Sequence, residues 1–244
     1  MTEDMLAKIV SLAKRRGFVF QGSEIYGGLA GFYDYGHYGA ELAHNIKELW
    51  WKHFVHEEEN MFNLSTSVIM SEQVWKASGH LEGFVDPMVE CQKCKRRFRS
   101  DHLENLEKCP ECGGKLSEQK KINLLFPVAM GSVEGETNMA YLRGEVAQGM
   151  FVNFKNAMDS MHATLPFGLA QIGKAFRNEI APRDFLFRTR EFDLMEFEYF
   201  VKEEEWEKWF EYWKQSMWRW IERVGIEKKM VHERHEKHEK NLKH

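Results

Sequence analysis

Hydrophobic residues recur at three- and four-residue spacing in several segments of the chain. The first of these, residues 5–14, places its apolar side chains on one face and ends at Arg15-Arg16-Gly17, which is typical of a helix stop. The same spacing predicts further helices over 40–54, 145–161 and 203–223. We interpret each apolar stripe as a surface that faces the core or an interface, because such stripes usually pack against other elements.

Two longer segments alternate between apolar and polar positions and therefore predict β-strands. They cover residues 168–179 and 190–201, and the residues between them, 180–189, form a connecting arm. A shorter strand is predicted within 61–70. Glycines are frequent over 22–39, which indicates a shaped loop and not a regular element.

Length and composition describe a protein with a hydrophobic core. With 244 residues, 43% of them hydrophobic, the chain can form one large domain or one domain with a small insert. The longest apolar run, Leu124 to Met130, is too short to cross a bilayer, and the start from Met1 to Asp4 lacks the features of a signal peptide. We therefore expect a cytoplasmic protein with no membrane partner. The net charge of -4 argues against a general nucleic-acid coat but is compatible with a local basic patch.

All four cysteines lie between residues 91 and 112, in the pairs Cys91-x-x-Cys94 and Cys109-x-x-Cys112. This spacing predicts a zinc site, because each pair can form a tight turn that directs two thiolates at one tetrahedral ion. Four protein ligands leave no coordination position for water, so the predicted zinc is structural. Two disulfides or a redox-active pair are the alternatives, and a cytosolic location disfavours the disulfides.

The segment 173–200 combines cationic, acidic and aromatic side chains at high density. A surface loop does not require so many phenylalanines, and a buried strand cannot hold unpaired charges. The combination favours a site for an aromatic, polyanionic ligand.

Two short sequences in this segment, FRNE (176–179) and FRTREF (187–192), resemble motif 2 of the class II aminoacyl-tRNA synthetases. Further sequences resemble the dimeric type of glycyl-tRNA synthetase, in the order in which that family has them. They are GGLAGFYDYG from residue 27, SGHLEGFVDPMVECQKCKRRFRSDH from 78, FVNFKN from 151, FGLAQIGKAFRNEIAPRDFLFRTREF from 167 and FEYW from 210.

This resemblance implies an α+β fold, a class II aminoacyl-tRNA synthetase-like antiparallel sheet flanked by helices, with a small zinc-knuckle insert. The implied domains are the first part of the catalytic core with the motif 1 region (1–87), the insert (88–118), the core with motif 2 (119–226) and a charged tail (227–244). The family continues into a motif 3 and an anticodon-binding domain. The chain therefore resembles the N-terminal part of the catalytic domain, truncated before motif 3.

The activity implied by the resemblance is the ATP-dependent activation of glycine to glycyl-adenylate, followed by transfer of glycine to tRNA(Gly). The implied cofactors are ATP, Mg²⁺ and structural Zn²⁺. The implied partners are glycine, tRNA(Gly) and a second copy of the chain, because members of this type are homodimers. The two copies would meet through the helix at 40–54 and the segment after it.

The resemblance also assigns roles to individual residues. Arg177 and Glu179 would be the catalytic residues: Arg177 would hold the α-phosphate together with the glycine carboxylate, and Glu179 would accept from adenine or order the arm. Arg188 would reach the terminal phosphates, and Phe192 would stack on the base. The complete implied ATP-binding set is Arg177, Asn178, Glu179, Phe187, Arg188, Thr189, Arg190, Glu191 and Phe192. The implied glycine-binding set, in which Glu145 takes the ammonium group, is Arg99, Glu145, Phe192 and Glu196.

Two sequences depart from the family pattern. Arg143-Gly144-Glu145-Val146 replaces the usual Arg-Pro-Glu-Thr, and Tyr35-Gly36-His37-Tyr38-Gly39 replaces the usual Tyr-Gly-Pro-Leu-Gly. Glycine in place of proline is expected to loosen the loop behind Glu145. Two functional hypotheses therefore stay open at this point: a glycyl-tRNA synthetase, and a catalytically dead, synthetase-derived module that binds RNA or protein.

Overall fold

The computed structural model describes residues 3–131, 138–180, 182 and 185–227. The chain divides into two compact units. The first unit consists of Met1–Ala40, Ser65–Val152 and Ile172–Leu194, and the second of Glu41–Leu64, Asn153–Gln171 and Met195–His244. The charged tail predicted over 227–244 lies outside the described residues, apart from Glu227.

Most of the predicted helices are present. The α-helices are α1 (Glu3–Arg15), α2 (His37–Trp51), α3 (Glu72–Ala77), α4 (His80–Gly83), α5 (Ala147–Val152), α6 (Phe154–Met161) and α7 (Trp206–Val224). A π-helical turn, Lys52–His56, continues α2. The helices predicted over 5–14, 40–54 and 203–223 are confirmed as α1, α2 and α7, whereas the periodicity does not predict the short helices α3 and α4. In the described part of the chain, no helix combines the length and the apolar composition needed to cross a membrane.

The helix predicted over 145–161 is in fact two helices, α5 and α6, so the prediction of one continuous helix is wrong. The chain leaves helical geometry at Asn153, whose carbonyl oxygen accepts a hydrogen bond from the backbone N–H of Ala157 at 2.9 Å. Asparagine favours helix ends over helix interiors, because its side chain competes for backbone hydrogen bonds. The apolar residues keep their helical spacing on both sides of Asn153, so the sequence pattern does not reveal the end of α5.

The described part of the chain contains eleven β-strands. They are β1 (Val19–Gln21), β2 (Tyr33–Tyr35), β3 (Met61–Asn63), β4 (Ile69–Ser71), β5 (Val85–Glu90), β6 (Arg97–Arg99), β7 (Lys120–Asn123), β8 (Phe126–Met130), β9 (Asn138–Leu142), β10 (Phe167–Phe176) and β11 (Glu191–Phe200). The two long predicted strands are confirmed as β10 and β11. The single strand predicted within 61–70 is instead two strands, β3 and β4, which belong to different units.

Antiparallel pairing dominates the described sheets. β1 pairs with β2, and the antiparallel three-stranded sheets have the orders β4-β9-β8 and β6-β5-β7. β10 has β11 and β3 as neighbours, and its pairing with β3 is parallel. The predicted α+β class is confirmed.

Arg143, directly after β9, joins three segments of the first unit. Its side chain is buried, Nε donates to the carbonyl oxygen of Lys174 on β10 at 2.6 Å, and Nη1 donates to the carbonyl oxygen of Thr66 at 2.9 Å. Backbone hydrogen bonds of 2.9 Å extend this attachment, from Arg143 N–H to the carbonyl of Val68 and from Phe176 N–H to the carbonyl of Arg143. The residues that follow Arg143 are thereby fixed beside β10.

Phe54 lies at the centre of the aromatic core of the second unit. Its ring is completely buried, and four other aromatic rings have their centroids 5.4 to 6.3 Å away. They are Trp50, Phe197, Trp213 and Trp220. The neighbouring His53 adds polar contacts to α7, since Nε2 lies 3.0 Å from the carbonyl oxygen of Ser216 and Arg223 donates to Nδ1 at 2.8 Å. Aromatic packing and these hydrogen bonds together attach α7 to α2.

Replacing Phe54 with alanine should lower the free energy of unfolding by about 3–5 kcal/mol, because the change removes ring contacts and leaves a cavity. Urea unfolding followed by tryptophan fluorescence measures this effect, since Trp50, Trp213 and Trp220 surround the substituted position. The matched control is Phe210→Ala on α7, where the ring is 64% exposed and the expected change is within about 0.5 kcal/mol. Similar losses in the two variants would contradict this description of the core.

Candidate functional site

Arg177, directly after β10, lies between two phenylalanine rings. Its guanidinium carbon is 5.2 Å from the ring centre of Phe84 and 5.4 Å from that of Phe192. Nε donates to the carbonyl oxygen of Gly144 at 3.1 Å. The cation–π contacts and this hydrogen bond hold the plane of the guanidinium group in one orientation. A planar set of N–H donors fixed in this way suits a phosphate or a carboxylate.

Glu179 ties the beginning of the connecting arm to its end. Its side chain is largely buried and accepts from Nε of Arg188 at 2.7 Å. Its carbonyl oxygen accepts from Nε and Nη2 of Arg190, at 3.1 and 2.8 Å. Burial lowers the pKa of Arg190, and the charge of Glu179 opposes that shift. These contacts correspond to the ordering of the arm, which is one of the two roles that the family resemblance implies for Glu179.

The glycine-rich loop meets the arm at Gly31. The backbone N–H of Arg190 donates to the carbonyl oxygen of Gly31 at 2.7 Å, and Nη1 of Arg190 donates to that of Ala30 at 3.1 Å. Gly31 has a φ of 80°, and a Cβ atom there would lie 2.8 Å from Cβ of Pro182. Glycine is therefore needed at this position both for the backbone conformation and for the close approach of the arm.

A cavity of about 240 Å³ lies at Arg177. Leu186 lines it together with six residues of the predicted ATP-binding set, which are Arg177, Glu179, Phe187, Arg188, Thr189 and Phe192. Ligand pockets usually measure about 300–1,000 Å³, so this cavity has room for part of a nucleotide. The structure thus brings two thirds of the predicted ATP-binding set to one concave surface.

Asp86, on β5, is a buried carboxylate between two of the predicted arginines. It accepts from Nη1 of Arg99 at 2.7 Å, and the same oxygen, Oδ2, lies 3.8 Å from Nη2 of Arg188. Arg99 also donates to both carboxylate oxygens of Asp101, at 3.0 and 2.7 Å. Burial raises the pKa of Asp86, although the positive charge of Arg99 acts in the opposite direction. Asp86 thereby brings together Arg99 and Arg188, which are distant in sequence.

Glu145, the predicted ammonium ligand, lies against a histidine. Oε1 of Glu145 is 3.2 Å from Nε2 of His80, and both side chains are largely shielded from solvent. The sequence patterns predict no role for His80, Phe84 or Asp86. All three lie in the family-like sequence that begins at residue 78, and that sequence was the signal available for finding them.

The remaining predicted residues occupy the arm and β11. Asn178 donates its backbone N–H to the carbonyl of Leu124 at 2.7 Å, and the hydroxyl of Thr189 donates to the carbonyl of Glu191 at 2.9 Å. Glu196 is half-buried on the part of β11 that belongs to the second unit. The other glycine-site candidates, Arg99, Glu145 and Phe192, belong to the first unit.

The four cysteines form a compact cluster whose sulfur atoms all lie within 4.8 Å of one another. The Sγ atoms are 3.5 Å apart for Cys91 and Cys112, and 3.8 Å apart for Cys94 and Cys109. Thiolates bound to a tetrahedral zinc ion at about 2.3 Å are separated by about 3.8 Å, whereas disulfide sulfurs are about 2.05 Å apart. The donor set therefore fits one four-coordinate metal ion, and the alternative of two disulfides is wrong because the cysteines are unbridged.

The cluster is attached to the strand that carries Asp86. Cys91 follows β5 and forms a β-bridge with Leu116, and together with Val89 and Cys109 these residues make a small buried core. The backbone N–H of Cys94 donates to the sulfur of Cys91 and lowers the pKa of that thiol to about 6.

The chain is similar in sequence to aminoacyl-tRNA synthetases. Residues 132–243 match the family of the tRNA synthetase class II core domain (G, H, P, S and T). A glycine--tRNA ligase from Treponema denticola is 51% identical over 225 residues, which are 91% of this chain and 50% of the relative. A glycine--tRNA ligase from Clostridium acetobutylicum is 47% identical over 93% of this chain and 55% of the relative. The chain spans about half the length of the curated relatives that it matches.

The fold also resembles a solved structure. The RNA binding domain of threonyl-tRNA synthetase from Cryptosporidium parvum Iowa II superposes with a TM-score of 0.52 at 18% sequence identity. The superposition covers 83% of this chain and 39% of the other. At that identity the likeness concerns the fold alone.

Asp86 and Asp101 should affect stability with opposite pH dependence. The pKa of Asp86 is raised in the folded state, so its stabilising contribution is present at low pH and is lost as pH rises through the raised value. The pKa of Asp101 is lowered, chiefly by its hydrogen bonds from Arg99, so its contribution is present at neutral pH and is lost on acidification. As pH rises from about 4 to about 7, Asp86→Asn should therefore become more stable relative to the unmodified protein, and Asp101→Asn should become less stable relative to it. Urea unfolding of the three proteins across this range measures both, and equal pH slopes would contradict the assignment.

Proposed function

Since the chain belongs to the class II tRNA synthetases and matches glycine--tRNA ligases over about half of their length, we propose that it carries the site of such a ligase that binds ATP and glycine and forms glycyl-adenylate. In this reaction an oxygen of the glycine carboxylate attacks the α-phosphorus of ATP. The bond between that phosphorus and the bridging oxygen breaks, and pyrophosphate leaves.

The orientation of Arg177 is the observation that carries the proposal. Among the residues that the structure describes, its partners are the carbonyl of Gly144 and the rings of Phe84 and Phe192, and all three are neutral. They fix the guanidinium group without offsetting its charge. The positive charge is then available to hold the α-phosphate and the glycine carboxylate together, and to stabilise the negative charge that grows on the phosphate during attack.

The other groups around the cavity fit the remaining parts of ATP. Phe192 offers a ring face to adenine, and Arg188, held by Glu179, offers the charge for the terminal phosphates. The side chain of Phe187 is 77% exposed and would pack against the nucleotide when the nucleotide binds. Mg²⁺, when bound to the phosphates, reduces their negative charge and supports the departure of pyrophosphate. Asn178, Thr189, Arg190 and Glu191 would hold the arm in position through the contacts described above.

Glycine requires recognition of its ammonium group and a pocket too small for a side chain. We assign the ammonium group to Glu145, whose carboxylate is partly exposed beside the loop that holds Arg177. The family resemblance also assigns glycine recognition to Glu196, on the part of β11 that belongs to the second unit. Arg99 would contribute to the glycine site indirectly, because it binds Asp86 and Asp86 also contacts Arg188.

The second half of the proposed reaction passes glycine from the adenylate to the 3′ end of tRNA(Gly). The names of the relatives support this assignment, and we propose a cytoplasmic location because translation takes place there. A homodimer is proposed through α2 and the segment that follows. Tyr38 and Leu42, whose side chains are more than half exposed on α2, would supply apolar surface for that contact.

We assign one structural Zn²⁺ to Cys91, Cys94, Cys109 and Cys112, in an insert that spans 88–118. The sulfur separations match a tetrahedral zinc site. When bound, the ion would hold together the two cysteine turns between β5 and β7. It would also steady β6, which pairs with β5 and ends at Arg99.

Elemental analysis of the freshly purified, reduced protein should find about one zinc per chain. Cys109→Ser should reduce the zinc content sharply, because it removes a buried ligand. The matched control is Glu111→Gln, which changes the same turn without removing a sulfur atom and should keep the zinc. Full protection of residues 88–118 from hydrogen exchange in zinc-free protein would contradict a structural ion.

Arg177→Ala should weaken binding of glycyl-sulfamoyl adenosine, a non-hydrolysable analogue of glycyl-adenylate, by about 100-fold, because a pair of charge-assisted hydrogen bonds is lost. Isothermal titration calorimetry measures the dissociation constant. Arg177→Lys should show intermediate affinity, since it keeps the charge but loses the planar fork. Arg219→Ala, an exposed arginine on α7, should bind like the unmodified protein.

The same titration decides between the two hypotheses. Unchanged affinity in Arg177→Ala would overturn the role given to Arg177. Absence of binding by the unmodified protein, shown to be folded by circular dichroism, would overturn adenylate formation by this chain. That outcome would favour the synthetase-derived binding module.

A further inference from the structure

His80 makes a polar contact with Glu145 in the first unit, and aromatic packing holds the His80 ring in place. Its ring centroid lies 5.3 Å from that of Trp75 and 5.3 Å from that of Phe84, in edge-on geometry on both sides. Trp75 is completely buried, so this side of the contact is rigid. The imidazole therefore presents Nε2 to Glu145 from a packed aromatic setting.

The backbone of His80 is held separately from its ring. The side-chain amide of Asn123, on β7, donates to the carbonyl oxygens of both His80 and Leu81, at 3.0 and 2.9 Å. These two bonds fasten the start of α4 to the sheet that carries Asp86. Backbone and ring are thus fixed by independent contacts, and neither depends on Glu145.

The carboxylate of Glu145 favours a ring with hydrogen on Nε2, because its Oε1 lies 3.2 Å from Nε2 and a carboxylate oxygen can only accept. Nδ1 of His80 lies 2.8 Å from Oγ of Ser78, and that hydroxyl lies 3.4 Å from the carbonyl oxygen of Trp75. In the neutral ring with hydrogen on Nε2, Nδ1 accepts from Ser78. In the cationic ring Nδ1 donates to Ser78, and the hydroxyl hydrogen turns to Trp75. In both states Nε2 carries a hydrogen and lies 3.2 Å from Oε1 of Glu145.

We propose that His80 is a positioning residue for glycine recognition, which holds Oε1 of Glu145 so that Oε2 meets the ammonium group of glycine. The inference rests on the proposed function, because it takes Glu145 as the ammonium ligand. A carboxylate held at one oxygen loses less side-chain entropy when it binds its ligand than a carboxylate that is free to rotate. His80 therefore acts on glycine through Glu145 and does not touch it.

The same aromatic setting links this carboxylate to the ATP side of the site. The ring of Phe84 has His80 on one side and the guanidinium group of Arg177 within 5.2 Å. The carbonyl of Gly144, next to Glu145, accepts from that guanidinium group. His80, Phe84 and Arg177 thus place the groups for the ammonium and the carboxylate of glycine on one continuous set of contacts.

Two substitutions separate the polar contact between His80 and Glu145 from the packing of the ring. His80→Phe keeps an aromatic ring against Trp75 and Phe84 but cannot donate to Glu145. His80→Gln loses the ring but places an N–H donor near the position of Nε2. The matched control is His44→Phe, because His44 pairs with Glu48 on the surface of α2, at 3.9 Å and with both side chains at least 70% exposed.

Calorimetric titration uses two ligands that differ only in the glycyl group, glycyl-sulfamoyl adenosine and sulfamoyl adenosine. His80→Phe should bind the glycyl ligand about 10-fold more weakly and the ligand without glycine as the unmodified protein does. His80→Gln should recover part of the loss for the glycyl ligand. His44→Phe should match the unmodified protein with both ligands.

The outcomes distinguish this inference from the proposed function. Equal binding of the glycyl ligand by His80→Phe and the unmodified protein would overturn the role of His80 alone. Equal weakening of both ligands in His80→Phe, with a lowered unfolding temperature, would show a purely structural role and overturn it as well. Failure of the unmodified protein to bind either ligand would overturn the proposed function together with the inference.

Discussion

Burial of one cation, Arg143, determines how the first unit is assembled. A guanidinium group removed from water costs free energy unless its N–H groups find acceptors, and carbonyl oxygens of Thr66 and Lys174 provide them. These acceptors come from segments that are distant in sequence. Satisfying one side chain therefore fixes β10 against the end of β9 and against the loop that carries Thr66. Glu145 and Arg177 both lie within three residues of these fixed points, and the site takes its geometry from them.

The arginines of the site differ in the charge of the groups that contact them, and this difference suggests different roles. Arg99 and Arg188 are held by carboxylates, including the shared Asp86, so much of their charge is already compensated. In the described part of the chain, Arg177 is held by a carbonyl oxygen and two aromatic rings, which orient the group but do not compensate its charge. A catalytic cation must be fixed before the anion arrives, because reorganisation during the reaction adds to the barrier. Neutral partners would fulfil this requirement for Arg177 in its proposed catalytic role.

Sequence patterns predict the long elements and the residues of motif 2, but not the contacts that complete the site. Alternation identifies β10 and β11 because each exceeds the range over which chance produces such a pattern. The break at Asn153 and the division of 61–70 into β3 and β4 are decided by tertiary contacts, which periodicity does not contain. Asp86 and His80 escape prediction for the same reason. Each has a partner more than 60 positions away in sequence, Arg188 and Glu145 respectively, and only the fold brings those pairs together.

The glycine that replaces the family's proline at position 144 has a specific packing consequence. A Cβ atom there would lie 3.1 Å from Cε1 of Phe84 and 3.1 Å from Cδ2 of Leu125, closer than most side-chain contacts. Glycine therefore lets the ring of Phe84 approach the loop and stack on Arg177 at the same time. The conformational freedom that glycine brings is restricted on both sides, by the hydrogen bond from Arg177 to its carbonyl and by the backbone bonds of Arg143. Phe84 contacts Arg177 on one side and His80 on the other. At this departure from the family sequence, packing of the Phe84 ring therefore restricts the loop in place of the rigid proline ring.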